Sequence, residues 1–182
     1  HGYISPPQYN TETSYISFVN QLADAGYIVF KPDYRGNGSS QGTPIQPYIS
    51  PDYIIDSLNA LSTIKKYPDA DPQRIAIIGH SMGGNITLHE LVITKEIKAA
   101  VILSGVVGVY SDILTWFDNR TATGVLTTQN DQHAARGLKQ LIQENSTPEK
   151  NPLFWQSIDP INFLSDVSIP VQIQVGGKDQ VV

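Results

Sequence analysis

Ser81 stands in the run Gly79-His80-Ser81-Met82-Gly83-Gly84. A serine with glycine two residues to either side can do what an ordinary serine cannot. On a sharp strand-to-helix turn, G-x-S-x-G lifts the hydroxyl above a sheet edge, where it can act as a nucleophile in acyl transfer. Glycine is required at 79 and 83 because backbone must pass close to a strained residue, where a Cβ would clash. A helix starting behind Ser81 would offer free N–H groups and the positive end of its dipole, both suited to a developing oxyanion. The rival reading, a nucleotide-binding loop, needs G-x-G-x-x-G, and Gly79, Gly83 and Gly84 do not fit it. His80 adjoins Ser81, but neighbours at a turn point apart. It reads as a packing residue lining the site, not as the base.

This motif needs a strand before it and a helix after it, and the pattern supplies both. Arg74 to Ile78 is an apolar run of the kind buried on both sheet faces, and Met82 to about Thr94 is helical. Upstream, Thr11 to Ala25 predicts a helix with Tyr15, Ile16, Val19, Leu22 and Ala23 at helical spacing. Tyr27 to Phe30 predicts a short buried strand, and Pro51 to Tyr67 a helix with Ile54, Ile55, Leu58, Leu61 and Ile64 along one side. Downstream, Ala99 to Leu103 and Val171 to Val175 predict two more strands. Alternation of this kind indicates an α/β fold: a mostly parallel sheet flanked by helices. More than sixty residues separate the last two strands, far more than a crossover needs. Ala134, Ala135, Leu138, Leu141 and Ile142 share one face of a helix over about 131–145. The segment from about 107 to 160 therefore reads as a helical lid inserted into one partial domain spanning 1–182.

Bulk properties narrow the chemistry further. The chain has 182 residues, 40% hydrophobic and 16% charged, which suits a globular domain with a sizeable core. No apolar run approaches the roughly 18 residues of a membrane span. A net charge of −5 without any basic cluster argues against nucleic acid as a partner. The absence of cysteine removes thiolate nucleophiles and thiolate metal sites. Histidine and carboxylate residues show no ligand spacing such as H-E-x-x-H, so no metal or organic cofactor is expected. Localisation and oligomeric state are not legible.

Four blocks carry a resemblance to α/β-hydrolases, in particular the esterase and peptidase branch around the prolyl oligopeptidase and acylaminoacyl-peptidase catalytic domains. In order they are His1-Gly2-Tyr3, Pro32-Asp33-Tyr34-Arg35-Gly36-Asn37-Gly38-Ser39-Ser40, the Ser81 elbow, and Gly176-Gly177-Lys178-Asp179-Gln180-Val181-Val182. The resemblance implies that His1-Gly2 opens the oxyanion loop, with the backbone N–H groups of Tyr3 and Met82 as donors. It implies that Asp179 is the triad acid, in the order Ser, Asp, His. The histidine of that triad is expected beyond Val182, and the chain is expected to be truncated at both ends. Asp33 and Arg35 are expected to brace a turn, and His89 to pack or face solvent.

A serine hydrolase of an ester or peptide is the reading these residues favour. Within the lid, Tyr110, Trp116, Phe117, Phe154 and Trp155 could wall an acyl pocket, with Trp116, Phe117 and Trp155 the chosen substrate contacts. The alternative is a non-catalytic ligand-binding homologue that keeps the pocket without a complete triad.

Overall fold

The computed structural model describes residues 1–45, 48–124 and 129–179. Three parallel strands form its sheet in the order β1-β2-β3: β1 Ala76–His80, β2 Ala99–Leu103 and β3 Val171–Gln174. Ala76 pairs with Ala99 and Ala100 with Val171, so the C-terminal ends of all three strands emerge on one edge. β2 spans the residues its apolar run predicts. β1 lies two residues later at both ends than the Arg74–Ile78 pattern and runs through Gly79 and His80 up to the turn.

Helices α1 (Ile16–Asp24), α2 (Asp52–Ile64) and α3 (Met82–Ile93) complete the first half. α3 packs on β1 and β2, and α2 packs on α3. Leu61, Leu91, Ile97 and Ala100 are buried between them, with Ile64, Ile75 and Ile77 against the cluster. Being sandwiched between sheet and α2, α3 is buried nearly all round, nine of its twelve residues being inaccessible.

The opposite sheet face is open, and three expectations change there. Tyr27 to Phe30 takes no ladder partner among the described residues, and Tyr27 is 67% exposed instead of buried. Ile78 and Ile173 are exposed, so β1 and β3 are not buried on both faces. α1 buries no residue, and it starts at Ile16 instead of Thr11. The Asn10 side chain accepts from the N–H groups of Glu12 and Thr13, holding 11–15 in turns ahead of the helix. α2 is also shorter than its pattern, with Pro51 just outside its first turn.

Between β2 and β3 lie α4 (Tyr110–Ala122), α5 (Gln129–Asn145) and α6 (Pro152–Ile158), followed by a 3-10 helix over Pro160–Asp166. These helices have a core of their own: Tyr110, Ile113, Leu114 and Phe117 of α4 meet Ala134, Leu138 and Leu141 of α5 and Trp155 of α6. Asp159 is buried at the stem of this cap. One carboxylate oxygen accepts from the Tyr110 N–H at 3.1 Å and the other from the Ile161 N–H at 3.1 Å.

Candidate functional site

Ser81 sits between β1 and α3 with φ 53° and ψ −120°, in the region L-residues avoid. Strain of this kind costs about 1–3 kcal/mol and persists only where the surroundings over-determine it. Here they do. The Ser81 N–H donates to the Leu103 carbonyl at 3.0 Å, and the Ser81 carbonyl accepts from Gly84 at 2.9 Å and Val106 at 3.2 Å. The turn is thus clamped to the end of β2. A Cβ at Gly79 would collide with the Gly83 carbonyl oxygen and the Thr87 hydroxyl, and one at Gly83 would lie 2.9 Å from the His1 carbonyl. The glycine spacing is therefore a packing requirement of the turn.

His1-Gly2-Tyr3 lies against this elbow. A Cβ built on Gly2 would be 3.2 Å from the Ser81 Cβ. The His1 ring stacks on Tyr9 at 4.7 Å and lies 4.3 Å from the Tyr34 ring, centroid to centroid. Tyr3 packs on the cluster of Tyr34, Tyr53, Met82 and Ile86, and its ring centroid is 5.5 Å from that of His133 in α5. Met82 is the first residue of α3, with its side chain buried in the same cluster.

Asp179 follows β3 in a turn closed by its N–H on the Gly176 carbonyl at 2.8 Å. Both Ser81 and Asp179 thus lie past the C-terminal ends of their strands, on the sheet edge where open α/β sheets bind ligands. Asp179 also acts electrostatically on His80. Burial holds the His80 imidazole below its usual range, against an opposing pull from Asp179. Gln180, Val181 and Val182 lie outside the described residues.

The other histidines are engaged elsewhere. Nδ1 of His89 meets the Asn85 carbonyl at 2.9 Å and Nε2 meets the Ile158 carbonyl at 3.1 Å, which braces α3 to the foot of the cap. Nδ1 of His80 is 2.7 Å from the Tyr15 hydroxyl. Asp33 accepts from the hydroxyls of Tyr9 and Thr11, and Arg35 is paired with Asp52 and Asp56, so this block ties loops together. Among the described residues no group of three or more His, Asp or Glu converges as a metal site would.

In the cap, Trp155 is 4% exposed and its indole N–H donates to the Ser146 carbonyl at 3.1 Å. Phe117 is buried beside it, and Trp116 is half-buried under the Arg120 guanidinium, 4.6 Å from the ring centroid. Two of the three chosen contacts therefore sit within the cap's core.

Sequence reading missed two residues. Tyr15 has φ 64° and precedes α1, whereas the helical pattern placed it on an apolar stripe. Ser14, a helix-start residue directly ahead of the apolar run, was the available signal. Glu90, 1% exposed on α3, is the other. Burial pushes its carboxyl up to about 7, against a smaller opposing pull from Ser57.

The family profile described as serine aminopeptidase, S33, matches residues 10–151. The uncharacterized peptidase YtmA of Bacillus subtilis is 27% identical over 162 residues, covering 89% of this chain and 56% of the relative. The α/β-hydrolase domain-containing protein WAV2 of Arabidopsis thaliana is 29% identical over 164 residues, covering 85% of this chain and 44% of the relative. The chain thus spans about half the length of these relatives. Among solved structures, an esterase of Pyrococcus furiosus superposes with TM-score 0.65 at 20% identity, over 96% of this chain and 59% of that one. Acetyl xylan esterase 1 of Thermoanaerobacterium superposes with TM-score 0.61 at 18% identity, over 94% and 57%. At such identities the superpositions speak for the fold, and the fold is that of the α/β-hydrolases.

Proposed function

The chain belongs to the α/β-hydrolase family described as serine aminopeptidase, S33, and from that premise we propose that it is the nucleophile-bearing core of an acyl hydrolase acting through Ser81. The observation that carries the proposal is the strained backbone of Ser81, clamped at the head of α3 by contacts that leave its neighbours no room for side chains. A serine held this way at the C-terminal edge of a parallel sheet can attack an ester or amide carbonyl and form an acyl-enzyme that water releases.

The remaining roles follow from that position. Asp179, beyond the end of β3, is proposed as the acid that holds the catalytic histidine in its tautomer and stabilises the imidazolium formed as Ser81 loses its proton. The N–H groups of Tyr3 and Met82 are proposed as the oxyanion donors; loss of one such donor typically costs about 3–4 kcal/mol in the transition state. The contact between Gly2 and Ser81, and the place of Met82 at the helix start, support this pairing. Trp116, Phe117 and Trp155 are proposed to shape the acyl pocket, with the buried Phe117 and Trp155 backing its wall from within the cap.

The substrate is proposed to be a small ester or a peptide. YtmA is named a peptidase, and two structural relatives are named esterases. A test uses the full-length protein that carries this chain, treated with a fluorophosphonate and read by intact mass. One adduct is expected, absent in Ser81→Ala, together with a drop in hydrolysis of about 10⁶-fold in the variant. A panel of p-nitrophenyl esters and aminoacyl p-nitroanilides then separates esterase from peptidase. A folded protein that takes no adduct would move the assignment to the non-catalytic ligand-binding reading.

A further inference from the structure

The site contains one hydroxyl that touches both halves of the catalytic apparatus. Tyr15 Oη lies 2.9 Å from the Gly2 backbone nitrogen and 2.7 Å from His80 Nδ1. Gly2 immediately precedes Tyr3, and His80 immediately precedes Ser81. The Gly2 N–H can only donate, so the tyrosine oxygen is its acceptor. The same oxygen pairs with His80 Nδ1, the hydroxyl donating where that nitrogen is bare and accepting where it carries the proton. Burial raises the Tyr15 phenol, keeping its proton on, and holds His80 below its usual range, keeping the imidazole neutral, so the bridge joins two uncharged groups.

The backbone bends to place this group. Tyr15 holds φ 64° and ψ 13° at the head of α1, a left-handed conformation with an unfavourable free energy for a residue bearing a Cβ. A tyrosine that merely filled space on an apolar stripe would not need it. The spacing at Gly2 is equally tight: a Cβ there would be 2.9 Å from the Tyr15 hydroxyl and 3.0 Å from His80 Nδ1. Hydroxyl, loop and elbow meet with no space between them.

We propose that Tyr15 is a positioning residue of this site, its hydroxyl setting the separation between the oxyanion loop at Gly2-Tyr3 and the nucleophile elbow at His80-Ser81. The inference rests on the hydrolase reading. Tyr15 touches no reacting atom. It acts through the residue before the nucleophile and the residue before a proposed oxyanion donor. Misplacement of catalytic groups by small distances is felt in the transition state more than in substrate binding. Removing the hydroxyl should therefore lower kcat and leave KM nearly alone.

The test measures Ser81 capture by a fluorophosphonate, and ester turnover, in the full-length protein. Tyr15→Phe is expected to slow capture and kcat about tenfold or more, with KM within about twofold. His80→Asn, which can keep a hydrogen-bonding atom near the Nδ1 position, should be captured faster than His80→Leu. His80→Leu should fall as Tyr15→Phe does, and the double variant Tyr15→Phe/His80→Leu should be no slower than either single one, because both remove the same bridge. Capture at the wild-type rate in Tyr15→Phe, or additive losses in the double variant, would overturn the inference. If Tyr15→Phe does not fold, the two His80 variants decide: equal rates in His80→Asn and His80→Leu overturn it. A wild-type protein that is never captured at Ser81 breaks the hydrolase reading instead.

Discussion

The elbow and the cap are held by different kinds of contact. Around Ser81 the contacts are largely backbone on backbone: the Leu103, Val106 and Gly84 hydrogen bonds, and carbonyls seated where side chains would be. In the cap they are side chain on side chain, with Tyr110, Phe117, Leu138 and Trp155 packed around one another. Backbone contacts leave no rotamer to adjust, so the elbow admits one geometry or none. A side-chain core can repack at modest cost while its outline persists. The protein therefore combines a region that cannot vary with one that can, and the variable one stands between β2 and β3, next to the working edge.

The sharpest way to break this contrast is Gly79→Ala. With the Gly83 carbonyl and the Thr87 hydroxyl in the way, one methyl group should either prevent folding or destabilise by more than about 5 kcal/mol, and abolish capture of Ser81. Urea denaturation and probe capture measure the two effects. A folded, reactive Gly79→Ala protein would show that the turn has slack. Trp155→Ala comes next, with an expected loss of about 3–5 kcal/mol from the cavity and the vacated Ser146 carbonyl. The same variant should still be captured at Ser81, with altered preference among acyl groups. Loss of capture together with cap stability would mean that the two regions form a single unit.

Glu90 gives the smallest effect and sharpens the comparison from below, since it lies about two turns along α3, the helix that the elbow starts. Its carboxyl titrates at about 7 in the folded protein and near 4.3 when unfolded. Between those values the native state holds a proton that the unfolded state has released. Its contribution to stability is therefore full below the unfolded value, and is lost as pH rises through the folded one. Glu90→Gln, which stays neutral, should raise the thermal midpoint more at pH 8 than at pH 5. An equal shift at both would show that Glu90 does not change its ionisation between pH 5 and pH 8 in the folded protein.

What could be read from the sequence follows the same division. Short-range features were legible: the glycine spacing at the elbow, the β2 run and the helical periodicity of α5 each depend on residues near in sequence. Long-range ones were not. The face that Tyr27-Ile28-Val29-Phe30 would cover looks buried by composition, yet a strand is buried only if something lies alongside it. Trp155 and Phe117 illustrate the second gap, because aromatic content marks a core or a pocket equally well, and only packing shows which way the rings face. Tyr15 shows the third: periodicity reports a repeating direction and cannot register one residue turned left-handed to reach His80.

Asp159 has a consequence for how this architecture can change. By accepting from both Tyr110 and Ile161, its carboxylate fastens the entry and exit of the cap to each other. The excursion between them is then a closed loop hanging from a fixed knot. Doubling the length of such a loop costs only about 0.6 kcal/mol of chain entropy. Helices can be gained, lost or exchanged beyond the knot while β2 and β3 keep their register. One buried side chain thus makes the cap a replaceable cassette over a sheet edge that stays still.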